Sequence, residues 1–366
     1  MHKLKCFIHL SVLFFTASLS DSYAQWNYPF LAEYFFVRNP SARMEAMGKT
    51  YAPSESEISC VFKNPAGVSN IKGVGLDFTY SNPLYLLKDA NFLFAGAGCT
   101  FNKYISAAVA VNRFDFGISF FTDNAGNPVP GSPPALTNYS FSLASSPFKN
   151  FTIGVTMNYF IIDFGTIDAE NVFYPDIGAI KYFDVGSGEK IKHKFFIAQS
   201  LSDFTKSSAV FEENNESYKS ELPFISRTGI GYNLRTSDST GQNSLRSHEG
   251  TFAFEYEEVL NSEYETSFRF GLEYKLFHIL SLRAGYYHQK IFDYGYPEYN
   301  KSEIGDFTYG IGFSLPLEFF SKKKTPFTIR FDFANMRQTP QSEKKISERF
   351  TSISLSLHYV FKKTKM

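Results

Sequence analysis

The stretch Phe268-Arg269-Phe270-Gly271-Leu272-Glu273-Tyr274-Lys275-Leu276 decides the fold. Every even-numbered position is apolar or aromatic, and every odd-numbered position is charged or glycine. An extended strand sends alternate side chains to opposite faces, so this ribbon has one greasy side and one polar side. The pattern repeats along the chain. Leu280, Leu282, Ala284 and Tyr286 alternate with Ser281, Arg283 and Gly285. Tyr309, Ile311, Phe313 and Leu315 alternate with Thr308, Gly310, Gly312 and Ser314. Phe327, Ile329, Phe331 and Phe333 alternate with Thr328, Arg330, Asp332 and Ala334, and Ile353, Leu355, Leu357 and Tyr359 alternate with serines and His358.

Alternation alone fits two architectures. A soluble β-sandwich turns its polar face to water, whereas a membrane barrel turns its apolar face to lipid and its polar face to the lumen. Three features favour the barrel. The strands run about 9–11 residues or longer, enough to cross a bilayer at a tilt. Tyr286-Tyr287, Phe319-Phe320 and the stretch Tyr359 to Phe361 put aromatics near strand ends, where a bilayer interface holds them. The third feature is an export signal at the N-terminus. The expected fold is all-β: a transmembrane antiparallel β-barrel of about 14 strands over residues 73–361, preceded by a short N-terminal hatch. Fifteen candidate strands can be marked, and residues 104–122 read either as one long strand or as a hairpin turning at Asn112-Arg113. Bacterial barrels use even strand numbers, which favours fourteen or sixteen.

The signal occupies residues 1–24. His2, Lys3 and Lys5 precede an apolar stretch from Phe7 to Leu19, and Ser22-Tyr23-Ala24 sets up cleavage before Gln25. The apolar stretch is shorter than the ~20 residues a spanning helix needs. Export followed by barrel strands points to the cell outer membrane, with its lipid as a partner. The 366 residues carry 36 Lys+Arg and 36 Asp+Glu, so no net charge points to nucleic acid. Cys6 falls within the signal. Cys60 and Cys99 either pair in an oxidising periplasm or stay as small buried thiols.

Linker lengths alternate. Glu258 to Glu263 and Lys275 to His278 are tight, whereas 123–136, 203–221 and 236–249 are long and polar. Short turns on one side and long loops on the other are the expected barrel arrangement, with the long loops outside the cell. Residues 25–72 differ from the rest. Ser41 can cap a short helix that Gly48 ends, and Asn64-Pro65-Ala66-Gly67 reads as a turn. Such a segment suits a plug inside the barrel. The chain closes with a basic tail, residues 362–366.

Ser41-Ala42-Arg43, then Ala46-Met47-Gly48, then Asn64-Pro65-Ala66-Gly67 resemble the PorV/PorQ family of Bacteroidota outer-membrane proteins, itself similar to FadL-type fatty-acid transporters. Gly271-Leu272-Glu273-Tyr274 and Leu282-Arg283-Ala284-Gly285-Tyr286 add to the likeness. The resemblance implies a barrel with a hatch and either of two roles. One is cargo reception in type IX protein secretion, with a translocon or cargo protein as partner. The other is FadL-like uptake of a hydrophobic ligand. A purely structural barrel is the third reading. Tyr51 to Glu57 replaces the acidic, alanine-rich stretch usual in that family, and the basic tail departs from its terminal aromatic.

No catalytic constellation stands out. His193, His248, His278, His288 and His358 are scattered, with no triad or metal-ligand spacing, so neither enzyme activity, cofactor nor metal is expected. The candidate gating residues are Arg43 and the turn Asn64, Pro65, Ala66 and Gly67. Arg269, Glu273, Lys275, Arg283, Arg330 and Asp332 are expected to face the lumen, since a charge on the lipid face costs ~2–4 kcal/mol near the midplane. They serve there as a polar ligand route or as structural ion pairs.

Overall fold

Thr266–Leu276 is a strand in which Phe268, Phe270, Leu272 and Tyr274 are exposed while Ser267, Arg269, Gly271, Glu273 and Lys275 are buried. Leu272 is 56% exposed and Arg269 0%. A water-soluble sandwich would bury the leucine and expose the arginine, because burying such a side chain gains about 1.5–3 kcal/mol. The inversion is the mark of a barrel whose surroundings are apolar.

The computed structural model describes residues 35–36, 39–53, 56–82, 89–117, 121–122, 128–129, 133–163, 165, 170–187, 191–213, 216–236, 247–261, 266–290, 303–317, 326–337 and 349–360. The expected signal segment 1–24, Phe319-Phe320 and the tail 362–366 lie outside them. Fourteen antiparallel strands close into a barrel. They are β1 (Val74–Ser81), β2 (Asn91–Thr100), β3 (Ile105–Asp115), β6 (Ala135–Phe148), β7 (Phe151–Asp163), β8 (Glu170–Ser187), β9 (Ile191–Ser202), β12 (Ile225–Thr236), β13 (His248–Val259), β14 (Thr266–Leu276), β15 (Leu280–Lys290), β16 (Glu303–Pro316), β17 (Phe327–Arg337) and β18 (Arg349–Tyr359). Two small hairpins, β4 (Phe121–Thr122) with β5 (Pro128–Val129) and β10 (Ser208–Glu213) with β11 (Glu216–Glu221), are inserted between barrel strands. β1 pairs with β18, so no edge strand of the barrel is left open.

Residues 104–122 supply one barrel strand, β3, and Asn112-Arg113 lies within it rather than at a turn. The loop assignment needs a correction. A single strand, β12, separates 203–221 from 236–249, and a single strand reverses the chain, so these linkers lie at opposite ends. The linker 236–249 shares its end with the short turns at 149–150 and 277–279, whereas Glu258 to Glu263 shares the end bearing both inserted hairpins. Linker length alone therefore misplaces two connections. Cys60 and Cys99 are both free: Cys60 is buried in a 3-10 turn of the hatch, and Cys99 lies in β2 on the outward-facing register.

The segment before β1 sits inside the barrel. Its helix α1 (Ala42–Ala46) is capped by Ser41, whose side chain accepts from the Met44 N–H. Gly48 follows at φ +65, a conformation that favours glycine. Two 3-10 turns, Ile58–Phe62 and Pro65–Asn70, complete the segment. It meets the wall at two places where glycine faces glycine. Gly271 and Gly285 are register partners on β14 and β15, and a side chain on either would overlap the Met47-Gly48-Thr50 stretch. Gly154 and Gly178 are register partners on β7 and β8, and a side chain there would overlap Pro65 or Asn64. The helix end and the Asn64 turn thus rest on stretches of wall stripped of side chains.

Candidate functional site

Alternation turns the polar faces of β14, β15 and β17 inward, and register then sets their charges side by side. Glu273 is the cross-strand partner of Arg283. The hatch adds Arg43 and Glu57, and six side chains form a closed cycle of alternating charge. Arg43 Nη2 lies 2.8 Å from Glu273 Oε2. Arg283 Nε lies 2.7 Å from Glu273 Oε1, and its Nη1 lies 2.7 Å from Asp332 Oδ1. Arg330 Nε lies 2.8 Å from Asp332 Oδ2, and its Nη2 lies 3.6 Å from Glu57 Oε1. Arg43 Nη1 closes the cycle at 2.8 Å from Glu57 Oε2. Lys275 adds a further contact to Glu273 at 3.6 Å. All these groups are buried, so each ion loses its water and is held by its neighbours' charge.

A second cluster lies on β12, β13 and β14. Arg269 donates to Glu255 at 2.9 Å and also binds Glu257. Arg227 donates to Glu257 at 2.6 Å, and Lys63 of the hatch lies 3.6 Å from the same carboxylate. Burial pulls the Lys63 ammonium down to about 7, against the pull of Glu257. Glu255 in turn accepts the Tyr51 N–H of the hatch at 3.0 Å. A third link joins Asp77 to His358 at 3.3 Å and to the Ile58 N–H at 2.6 Å.

The structure brings Arg43, Glu273, Lys275, Arg283, Arg330 and Asp332 into one network and leaves Arg269 in the neighbouring one. Asn64 caps its own turn, accepting from Ala66 N–H at 3.1 Å, and donates to the backbone carbonyls of Ala179 at 3.4 Å and Gln199 at 3.1 Å. Pro65 lies against Gly154, Ala66 is buried in the hatch core, and a side chain on Gly67 would overlap the Tyr51 hydroxyl. Sequence reading did not single out Glu57, Lys63, Arg227, Glu255, Glu257 or Asp77. Glu255 and Glu257 alternate with Phe254 and Tyr256, so the strand rule reaches them. Glu57 lies in an irregular segment with no period to read.

Near the hairpin-bearing end the inner face changes character. Phe92, Phe114, Leu136, Phe160, Ile162, Val172 and Tyr174 point inward from β2, β3, β6, β7 and β8 and are buried. Phe211 of β10 and Leu222 pack on the same cluster. Two phenyl rings from the N-terminal part of the hatch, Phe35 and Phe36, enter this chamber. The Phe35 ring lies tilted at 5.1 Å from that of Phe160, and Phe36 lies 5.3 Å from Phe160 and 5.5 Å from Tyr174. Among the described residues no group of three or more His, Cys, Asp or Glu is placed to hold a metal ion.

No protein-family model matches the chain, and no curated protein matches it. Solved structures with a similar barrel include the toluene transporter TodX of Pseudomonas putida, at 11% identity and a TM-score of 0.45 over 89% of this chain and 99% of that one. A FadL homologue of Pseudomonas aeruginosa aligns at 10% identity and 0.46 over 90% and 100% of the two chains. The toluene transporter TbuX of Ralstonia pickettii aligns at 9% identity and 0.46 over 90% and 99%.

Proposed function

We propose that this chain is an outer-membrane barrel that admits hydrophobic small molecules, without covalent chemistry. The observation that carries the reading is the aromatic chamber. A water-filled porin lines its lumen with polar groups. Here five neighbouring strands turn apolar side chains inward at the end bearing the inserted hairpins, which is the extracellular end by loop length. The chamber already holds the phenyl rings of Phe35 and Phe36, so an apolar ligand of ring size fits once they withdraw. Passage beyond the chamber needs the hatch to shift. The Asn64 turn is a suitable point, because the wall there has two glycines facing it. On the outer side of that wall lies an apolar groove of about 560 Å³ lined by Ile105, Leu143, Ile153, Val155, Ile177 and Leu201.

The test is binding of the apolar dye N-phenylnaphthylamine to the detergent-purified chain. Saturable fluorescence is expected, weakened about tenfold by Val172→Ser or Phe92→Ser, which would leave a hydroxyl in an apolar space. Undiminished binding in both folded variants would remove the chamber from the reading.

Reception of type IX secretion cargo is the second reading. It is favoured by the paired motifs Ser41 to Gly48 and Asn64 to Gly67. Deleting the gene would then strand secreted proteins in the periplasm, whereas loss of growth on a hydrophobic compound marks the uptake role.

A further inference from the structure

The barrel pairs its deep cations closely, yet among the described residues a set near the opposite mouth has no carboxylate within ion-pair distance. A cavity of about 720 Å³ opens between the hatch and the wall on the side of β8, β9, β12 and β13. Lys72, Lys149, Lys192, Lys194 and Arg235 line it. Among the described residues no carboxylate oxygen lies within 4.0 Å of any of these five cations. Two acids share the lining, Asp184 and Glu249. Each accepts a hydrogen bond from an amide, and Asp184 is also the cross-strand partner of Lys194 and attracts its charge from beyond 4.0 Å. Asn150 donates to Asp184 at 2.7 Å, and Asn233 donates to Glu249 at 2.7 Å. Among the described residues, five cations against two acids leave the lining with three positive charges in excess.

The cavity also has fixed parts. Lys194 Nζ sits 4.0 Å over the ring of Tyr182, a contact that holds the ammonium in place. The Tyr182 hydroxyl in turn accepts from the Asn70 amide N–H at 2.8 Å and lies 3.2 Å from Pro53 O, to which it can donate. Low-dielectric walls focus the field of like charges in a cleft, so the excess acts on whatever enters. The volume falls within the ~300–1,000 Å³ range of small-molecule sites.

We propose that this cavity binds a small organic anion bearing carboxylate or phosphate groups, entered from the mouth that carries the short turns. By the orientation given above, that mouth faces the periplasm. The proposal concerns a different space from the aromatic chamber and stands whatever that chamber carries. The ligand's oxygens would come within ion-pair distance of Lys192, Lys194 and Arg235, the last already 3.1 Å from His278 Nε2, with Lys72 and Lys149 closing from the hatch and the turn.

The test is calorimetric titration of the full chain in detergent with citrate and, separately, with pyrophosphate, at low and at raised ionic strength. Saturable binding is expected for at least one anion, weakened by added salt. The double variant Lys192→Glu/Arg235→Glu should lose about tenfold or more in affinity. Citrate binding alone identifies a carboxylate ligand, pyrophosphate alone a phosphate ligand, and binding of both identifies recognition by charge. If the strand variant fails to fold, Lys72→Gln/Lys149→Gln reads the same site from outside the strands and should also weaken binding. Absence of saturable binding for both anions overturns the proposal, as does affinity unchanged in folded variants.

Discussion

Arg43 and Glu273 lie 230 positions apart in the chain and meet through two parallel hydrogen bonds, Nε to Oε1 at 3.0 Å and Nη2 to Oε2 at 2.8 Å. Both side chains are buried. The fork geometry fixes orientation as well as distance, so the helix that carries Arg43 is held at one angle to the wall. The hatch is therefore tied by charge on the β14–β17 side and by close backbone approach at the glycine pairs.

Removing both members of this pair should cost less than the two single losses added together. Arg43→Met leaves Glu57 short of its best partner in the interior, and breaking a buried pair this way costs about 3–5 kcal/mol. Glu273→Gln leaves Arg43 and Arg283 in the same position. The double variant should be less damaging than the sum, by ~0.5–3 kcal/mol. Urea unfolding in detergent, read by circular dichroism, measures all three. Strictly additive losses would show that the two groups do not couple.

The glycine contacts make a sharper claim about the hatch. A methyl group at Gly178 overlaps the Asn64 carboxamide, whereas one at Gly229 meets its neighbours only at 3.7 and 3.8 Å. Gly178→Ala should lift the Asn64 turn and expose Cys60, which is 1% exposed in the intact hatch. In a Cys99→Ser background, a water-soluble maleimide should then label Cys60 about tenfold faster, and Gly229→Ala should leave the rate unchanged. Equal rates in the two variants would mean that the turn does not depend on the bare wall.

Strand periodicity made the barrel and its inward charges legible, because Arg269, Glu273, Lys275, Arg283, Arg330 and Asp332 all sit between apolar neighbours. Their partners were harder to read. Glu57 approaches from a segment without period, and only closure of the barrel brings it beside Arg330. The aromatic chamber left a trace in Tyr159-Phe160-Ile161-Ile162, where alternation gives way to an apolar run. Such a run marks a strand end that is apolar on both faces, yet it resembles ordinary interface aromatics. The loop at 236–249 is long yet lies at the end of the short turns, because the single strand β12 separates it from 203–221 and reverses the chain.

The outward face can be checked residue by residue. Phe270, Leu282 and Phe331 are 42%, 46% and 46% exposed, and all point away from the lumen. Nitroxides attached there should collide with lipid-borne relaxing agents and be screened from water-soluble ones. Leu272→Arg should cost ~2–4 kcal/mol if it lies near the midplane, with a smaller loss toward either interface. Labels shielded from acyl chains at all three positions would contradict a lipid-facing wall.

Lys63 carries a pH prediction whose sign follows from its burial. Its pKa falls from 10.5 to about 7 in the folded hatch. Below about 7 both folded and unfolded chains hold the proton, and its titration contributes no slope. Between that value and 10.5 the unfolded chain binds more protons, so stability rises with pH, by at most about 1.4 kcal/mol per unit from this group. Lys63→Met removes the titrating ammonium while Glu257 keeps Arg227 and Arg269. The variant should be more stable than the parent at neutral pH, and the difference should shrink as pH rises toward 9, roughly the point at which tyrosines begin to titrate. Parallel stability curves for the two chains over that window would show that Lys63 keeps an ordinary ammonium inside the barrel.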